Sequence, residues 1–347
     1  MLGMAALLYV LRRDVIAMNT ALIALVLFSS LDLWRVNARA ILVGPSEAAT
    51  FSPLFAEAIH KERSPDTDDR VRVLSLHDAA LVAPGELAGR LDDRALTSIV
   101  MKQVLSAEHN ASYRIESAQV YLPGFPPEAT YLEDHPNPLL SARYNVGYFI
   151  GRSHRFQHAR FAGSVIAQLP DYDLSLARNP VKHKPRAYLS PHPELVGSRV
   201  KMSQLVGRQD FVDGHIDIIE SDESLASEEN SNPAPYDPEV SLERYQEEEV
   251  VLKVKTRKPS VLILLDAYAP GWHATLDDGR PLTILRANGL VRAVRVPSGD
   301  QTLHFVFHTP FLFEGACLSF LGALLCILMT FRAPKTNGTA TDTGANF

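Results

Sequence analysis

The feature that most limits this chain is an uninterrupted apolar run, Val261-Leu-Ile-Leu-Leu265, closed by Asp266 and then by Pro270-Gly271. Five such residues are too few for a buried helix or a membrane span, and they fit a strand covered on both faces. Pro270-Gly271 turns the chain and delivers Trp272 into the next strand. Downstream, Asp278-Gly279 and Asn288-Gly289 are hairpin signals, because both turn residues take positive φ in the favoured two-residue turn. Around them stand the strand patterns Thr283 to Ala287, Leu290 to Val296 and Leu303 to Phe307. In the last, Leu303, Phe305 and Phe307 share one face, and His304, Val306 and His308 the other. Residues 241–309 are therefore expected to form an antiparallel, β-sandwich-like domain.

Upstream the patterns mix. Ile41 to Val43, Val71 to Leu76, Tyr113 to Leu122, Tyr144 to Ile150 and Ala187 to Ser190 read as strands. From Leu96 the apolar positions Ile99, Val100, Val104 and Leu105 fall on one helical face. Residues 35–219 thus read as an α+β domain. From Glu220 to Glu239, Ser, Glu, Asp, Asn and Pro displace every apolar period, so 220–240 reads as an acidic linker. From Glu249 the alternation resumes, with Val250, Leu252 and Val254 inward and Lys253 and Lys255 outward.

Both ends carry long apolar segments. Val15 to Leu31 is apolar apart from Asn19, Thr20, Ser29 and Ser30, and the only charged residue in Phe311 to Phe331 is Glu314. Both are long enough to be read as membrane spans. Arg12-Arg13 before the first and Arg332 with Lys335 after the second predict cytoplasmic termini, the body between them lying outside. Met1 to Leu11 is apolar but short, and reads as the tail of a helix from a longer chain. The rival is a signal peptide with Arg12-Arg13, Val15–Leu31 as its core and Ala38-Arg39-Ala40 as its cleavage site. Gly315, Ser319 and Ala323 form a small-residue stripe, matched by Ala17, Ala21 and Ala24, which suits close helix packing in lipid. Cys317 and Cys326 are about 13 Å apart along such a helix and cannot pair. The expected architecture is an α+β membrane-anchored protein: segments 1–34 and 310–332 flank the body, and 333–347 is a cytoplasmic tail.

Composition narrows the function classes. The chain has 347 residues, 46% apolar and 21% charged, with a net charge of −6. That length suits roughly two soluble domains with cores of their own. No basic stripe dominates, which argues against nucleic acid as a partner.

The segment "LLDAYAPGWHATLDDGRPLTILRANGLVRAVRVPSGDQTLHFVFHTPFLFEGACLSFLG" resembles the C-terminal end of the bacterial YfhO-like membrane proteins, which are related to GT-C glycosyltransferases. "KPRAYLSP" (184–191), "NASYRIESAQVYLPGF" (110–125) and "YDPEVSLE" (236–243) are similar more loosely, so the likeness runs from about Asp32 to Phe320. The resemblance implies an extracytoplasmic accessory part of a bacterial plasma-membrane glycosyltransferase using a polyprenyl-phosphate-linked sugar. It also implies membrane lipid, envelope glycan and further transmembrane helices as partners. The family's catalytic acid sits on a loop with no counterpart here, and Asp32 does not inherit that role. The alternative is a membrane-anchored carbohydrate-binding or structural module without chemistry of its own.

Three groups of residues invite closer reading. Asp266, Tyr268, Trp272 and Asn288 form a candidate sugar site, with aromatic faces for a ring and a carboxylate and amide for its hydroxyls. The plainer reading has the aromatics capping a core and Asp266 bracing the turn. Arg152, Arg155 and Arg160, in "GRSHRFQHARF", form a candidate phosphate or lipid contact, or else a solvated surface. His154 and His158 stand i, i+4, yet no third zinc ligand is indicated. The acidic linker lacks the spaced ligands and turn glycine of a calcium loop. No P-loop, nucleophile motif or dinucleotide fingerprint is present. No metal, cofactor or catalytic residue is expected.

Overall fold

The computed structural model describes residues 26–31, 33–35, 52–63, 70–76, 79, 93–106, 109–119, 131–134, 136–161, 163–221 and 239–331. The chain divides into two compact units, Val43–His308 and the two ends Met1–Leu42 with Thr309–Phe347.

The larger unit is built on three sheets. The first has the order β2-β1-β3-β5-β4, from β1 (Arg72–Ser75), β2 (Glu116–Ser117), β3 (Val146–Arg152), β4 (Val165–Leu169) and β5 (Leu174–Arg178). Here β1 runs parallel to both β2 and β3, while the other pairs are antiparallel. The second sheet has the order β6-β11-β15-β14-β8-β7. Its strands are β6 (Ala187–Leu189), β7 (Pro193–Val196), β8 (Asp217–Glu220), β11 (Ser260–Ala267), β14 (Ile284–Ala287) and β15 (Val291–Val296). The third, β13-β12-β16-β10-β9, comprises β9 (Glu239–Tyr245), β10 (Glu249–Thr256), β12 (Trp272–Leu276), β13 (Pro281–Leu282) and β16 (Gly299–Phe307).

The central apolar run explains the layering. Val261, Ile263 and Leu265 enter a core shared with Leu74, Val146, Phe149 and Ala177 of the first sheet. Leu262 and Leu264 enter a second core with Leu252, Val254, Leu276, Leu303 and Phe305 of the third. Strand β11 is therefore sandwiched between two sheets, and each of its five apolar residues is at most 2% exposed. Alternation fails in this stretch because both faces exclude water. A further core on the outer face of the first sheet takes Phe55 and Ile59 of the helix Leu54–Glu62 and Val100 of the helix Asp93–Gln103.

The hairpins differ from each other. At Asn288-Gly289 both residues have positive φ, 50° and 70°. At Asp278-Gly279 only the glycine does, with φ 82°, because β12 and β13 are joined by a longer loop that leaves Asp278 an ordinary conformation. Strand β6 pairs with β11, and β8 with β14, so strands from both sides of the acidic stretch share one sheet. Tyr113 to Leu122 is not one strand. Asn110–Tyr113 is a 3₁₀ turn, Arg114 takes φ 53°, and among the described residues of this stretch strand pairing is limited to Glu116-Ser117. Ile41 to Val43 and most of the acidic linker lie outside the described residues.

The expected α+β architecture held between two transmembrane helices is corrected by the structure. The described residues are mostly β-sheet with few helices, and none of those helices is long and apolar enough to cross a membrane. Most of Val15 to Leu31 lies outside the described residues. The second segment forms the helix Leu312–Phe331, whose side chains are described as far as Leu325. Its side chains, Gly315, Ser319 and Ala323 included, are exposed, and a Cβ placed on Gly315 or Gly322 would meet nothing within 4 Å. Ala17, Ala21 and Ala24 lie outside the described residues.

Candidate functional site

Strand β11 ends in an irregularity that exposes the chemistry of Asp266. Its pairing with β15 runs regularly to Leu264, opposite Arg292, and resumes only at Ala267, opposite Val291. Bulges of this kind re-aim side chains at the ends of strands. The Asp266 carboxylate becomes the point where all three sheets meet. Arg72, opening β1, donates from Nη2 to Oδ1 at 3.2 Å. Arg186, just before β6, places Nη2 2.9 Å from Oδ1, and Arg292 of β15 donates to Oδ2 at 2.9 Å. The Tyr245 hydroxyl, at the end of β9, donates to Oδ1 at 2.8 Å and accepts from Arg186.

Asp266 is only 8% exposed. Burial alone would raise its pKa, but the guanidiniums of Arg186, Arg292 and Arg72 and the Tyr245 hydroxyl hold the carboxyl below its ordinary value. Crowding of like charge shows on the arginines. Desolvation and the neighbouring Arg186 bring Arg72 down to about 10. Burial and the Asp266 carboxylate push Tyr245 up to about 12. Glu116 supplies a second carboxylate, paired with Arg186 and 3.8 Å from Arg70.

This knot forms the floor of a cleft of about 640 Å³. Five arginines line it, Arg63, Arg70, Arg72, Arg114 and Arg186, against only the carboxylates of Glu116 and Asp266. Arg186 is 6% exposed and leaves Nε and Nη1 without a hydrogen-bond partner; Nε of Arg72 is likewise unpartnered. Those nitrogens are sealed from solvent; what faces the cleft is an excess of guanidinium groups over carboxylates, a lining suited to an anion. A second cleft, about 550 Å³, shares Arg70, Tyr245 and Asp266 with the first and adds Trp272, Phe307, Ala267, Ala269, Gln246, Glu247 and Arg292.

The four residues grouped from sequence separate. Asp266 and Trp272 are neighbours through Arg292, whose guanidinium lies over the indole. Trp272 is half-buried, packs against the second core and lies 5.4 Å from Phe307 between ring centres. Tyr268 is 43% exposed; it lines a separate groove together with Trp272 and a further one without it. Asn288 is buried elsewhere. Its amide donates to Asp217 and accepts from the Ile218 N–H, both at 2.9 Å, and its carbonyl accepts from the Tyr144 hydroxyl at 2.7 Å. Asp217 is further satisfied by Arg143, Tyr188 and Ser190, which makes this network a structural brace.

The second candidate group lies on the turns after β3. Arg152 is 3.8 Å from Asp173, and Arg160, His154 and His158 are exposed. The 3₁₀ turn Ser153–Gln157 ends before His158, whose backbone is extended, so the two histidines share no helical face. Among the described residues no group of three His, Cys, Asp or Glu could hold a metal ion.

Arg72, Glu116, Arg186 and Tyr245 escaped notice in the sequence, where Arg72 and Asp266 stand 194 positions apart. The one available signal was a buried-strand run ending in a carboxylate, which calls for cationic partners somewhere. Comparison of the chain with family models, with curated proteins and with solved structures returns no match. The likeness to YfhO-like proteins therefore stands on the quoted residues alone.

Proposed function

We propose that this chain is a binding module without a reaction centre of its own, and that its arginine cleft holds the anionic group of a ligand. The observation that carries this reading is the lining of five arginines against two carboxylates. Arginine forks match the oxygens of phosphate and carboxylate two at a time. The resemblance noted above supports phosphate in particular, because it implies a polyprenyl-phosphate-linked sugar.

Calorimetric titration of the full chain with inorganic phosphate tests the proposal. Binding should weaken with added salt. Arg114→Ala, which removes a side chain on the rim of the cleft, should weaken it about tenfold, the loss of one charge-assisted hydrogen bond. Arg244→Ala, at an exposed pair with Glu249, should leave it unaltered. Absence of phosphate binding by the unmodified chain would remove the proposal.

A further inference from the structure

We infer that a groove along β13 and β14 takes an extended, acidic peptide segment of another protein, added as a strand to β14 beyond the end of β8. This surface is separate from the arginine cleft and shares no lining residue with it. Strand β14 pairs with β15 at all four of its residues, but with β8 only at Arg286 and Ala287, opposite Glu220 and Ile219. On the β8 side, Ile284 and Leu285 therefore have no strand partner among the described residues. Just ahead of them Pro281 and Leu282 form β13, the edge strand of the third sheet. Residues 281–285 thus bring open strand edge to a groove of about 650 Å³. Such an edge offers main-chain donors and acceptors to an extended chain, and the side chains beside it select the sequence.

The lining states which chain would fit. Arg199, Arg286 and Arg295 stand against a single carboxylate, Glu220, which lies 3.9 Å from Arg286. That excess of guanidiniums calls for carboxylates on the partner, which arginine forks match two oxygens at a time. The same groove presents the apolar side chains of Leu282, Ile284 and Leu290 and the exposed ring of Tyr268. An adjoining groove of about 320 Å³ shares Tyr268, Pro281, Leu282 and Ile284, so the two make one elongated depression. A strand that alternates acidic with apolar residues offers carboxylates to the arginines and apolar side chains to the rest.

Fluorescence anisotropy of a labelled peptide alternating glutamate with valine, titrated with the full chain, is the test. The peptide should bind, and bind more weakly as salt is added. A lysine–valine peptide of equal length should bind at least about tenfold more weakly, for want of carboxylates. The glutamate–valine peptide with its backbone amides methylated should lose at least about tenfold as well, because it lacks the donors of an added strand. Arg199→Ala, at an exposed position, should weaken binding about tenfold, whereas Arg244→Ala should leave it unaltered. Equal binding of the lysine peptide overturns the charge complementarity, and equal binding of the methylated peptide overturns the strand addition. Absence of binding by the unmodified chain overturns the assignment to a partner. Binding that then appears once the carboxylates of 222–238 are replaced by amides would assign the groove to the chain's own acidic stretch instead.

Discussion

The guanidinium carbon of Arg292 lies 3.8 Å from the centre of the Trp272 ring, and the same side chain, 2% exposed, donates to Asp266. One buried cation thus couples the aromatic that follows the Pro270-Gly271 turn to the carboxylate that precedes it. Neither partner can be altered without disturbing the other, because a desolvated guanidinium needs both the anion and the polarisable face above it.

Trp272→Ala should destabilise the fold by about 2–4 kcal/mol, at the low end of tryptophan truncations because the ring is only half-buried. Urea unfolding measures it. A loss below about 1 kcal/mol would mean the indole contributes little to the core it borders.

Asp266→Asn should cost about 3–5 kcal/mol at neutral pH, since it strips the charge that offsets three guanidiniums. The folded-state carboxyl is held below the ordinary value of 3.8. Its stabilisation is therefore present above that value and is lost as pH falls through the lower folded value. Unfolding curves taken from pH 6 downward should show the gap between the natural chain and the variant closing below about pH 4. A gap independent of pH would contradict the ionised carboxylate.

Ile263→Ala should cost about 2–5 kcal/mol, because its side chain is sealed between the first and second sheets. Lys253→Ala, on the exposed face of β10, should change stability by less than about 0.5 kcal/mol. Equal effects in thermal melts would contradict the double burial of β11.

Asn288→Ala should cost about 2–4 kcal/mol, from the lost bonds to Asp217 and Ile218 and from an alanine forced to φ near 50°. Asn288→Gly relieves the backbone part alone and should recover about 1 kcal/mol of that loss. Chemical denaturation of the two variants separates backbone from side chain.

Glu116→Gln should tighten phosphate binding severalfold, because it removes one of the two carboxylates that compete for the arginines of the cleft. Calorimetry at low salt reads this directly. Weaker binding would show that Glu116 positions Arg186 more than it competes for it.

Much of the β architecture was legible from local pattern. Five consecutive apolar residues announced a strand covered on both faces, Asn288-Gly289 a hairpin with two residues at positive φ, and Leu303 to Phe307 a one-sided strand. These follow from period and backbone freedom, which depend on neighbours in the chain. Apolar length was a poorer guide at the two ends. There it suggested paired membrane helices, and among the described residues no helix has the length and apolarity to cross. The sequence by itself determined where β11 lies, that it is buried, and that a carboxylate closes it. Only the tertiary structure decided what that carboxylate meets. Arg72, Tyr245 and Arg292 lie on strands of the three sheets and Arg186 on the segment leading into β6, and no local rule encodes their convergence. Likewise Asn288, a turn residue by sequence, proved a buried brace to Asp217. Electrostatic and hydrogen-bond partners are set by distance in space, and the layered packing of three sheets creates those distances.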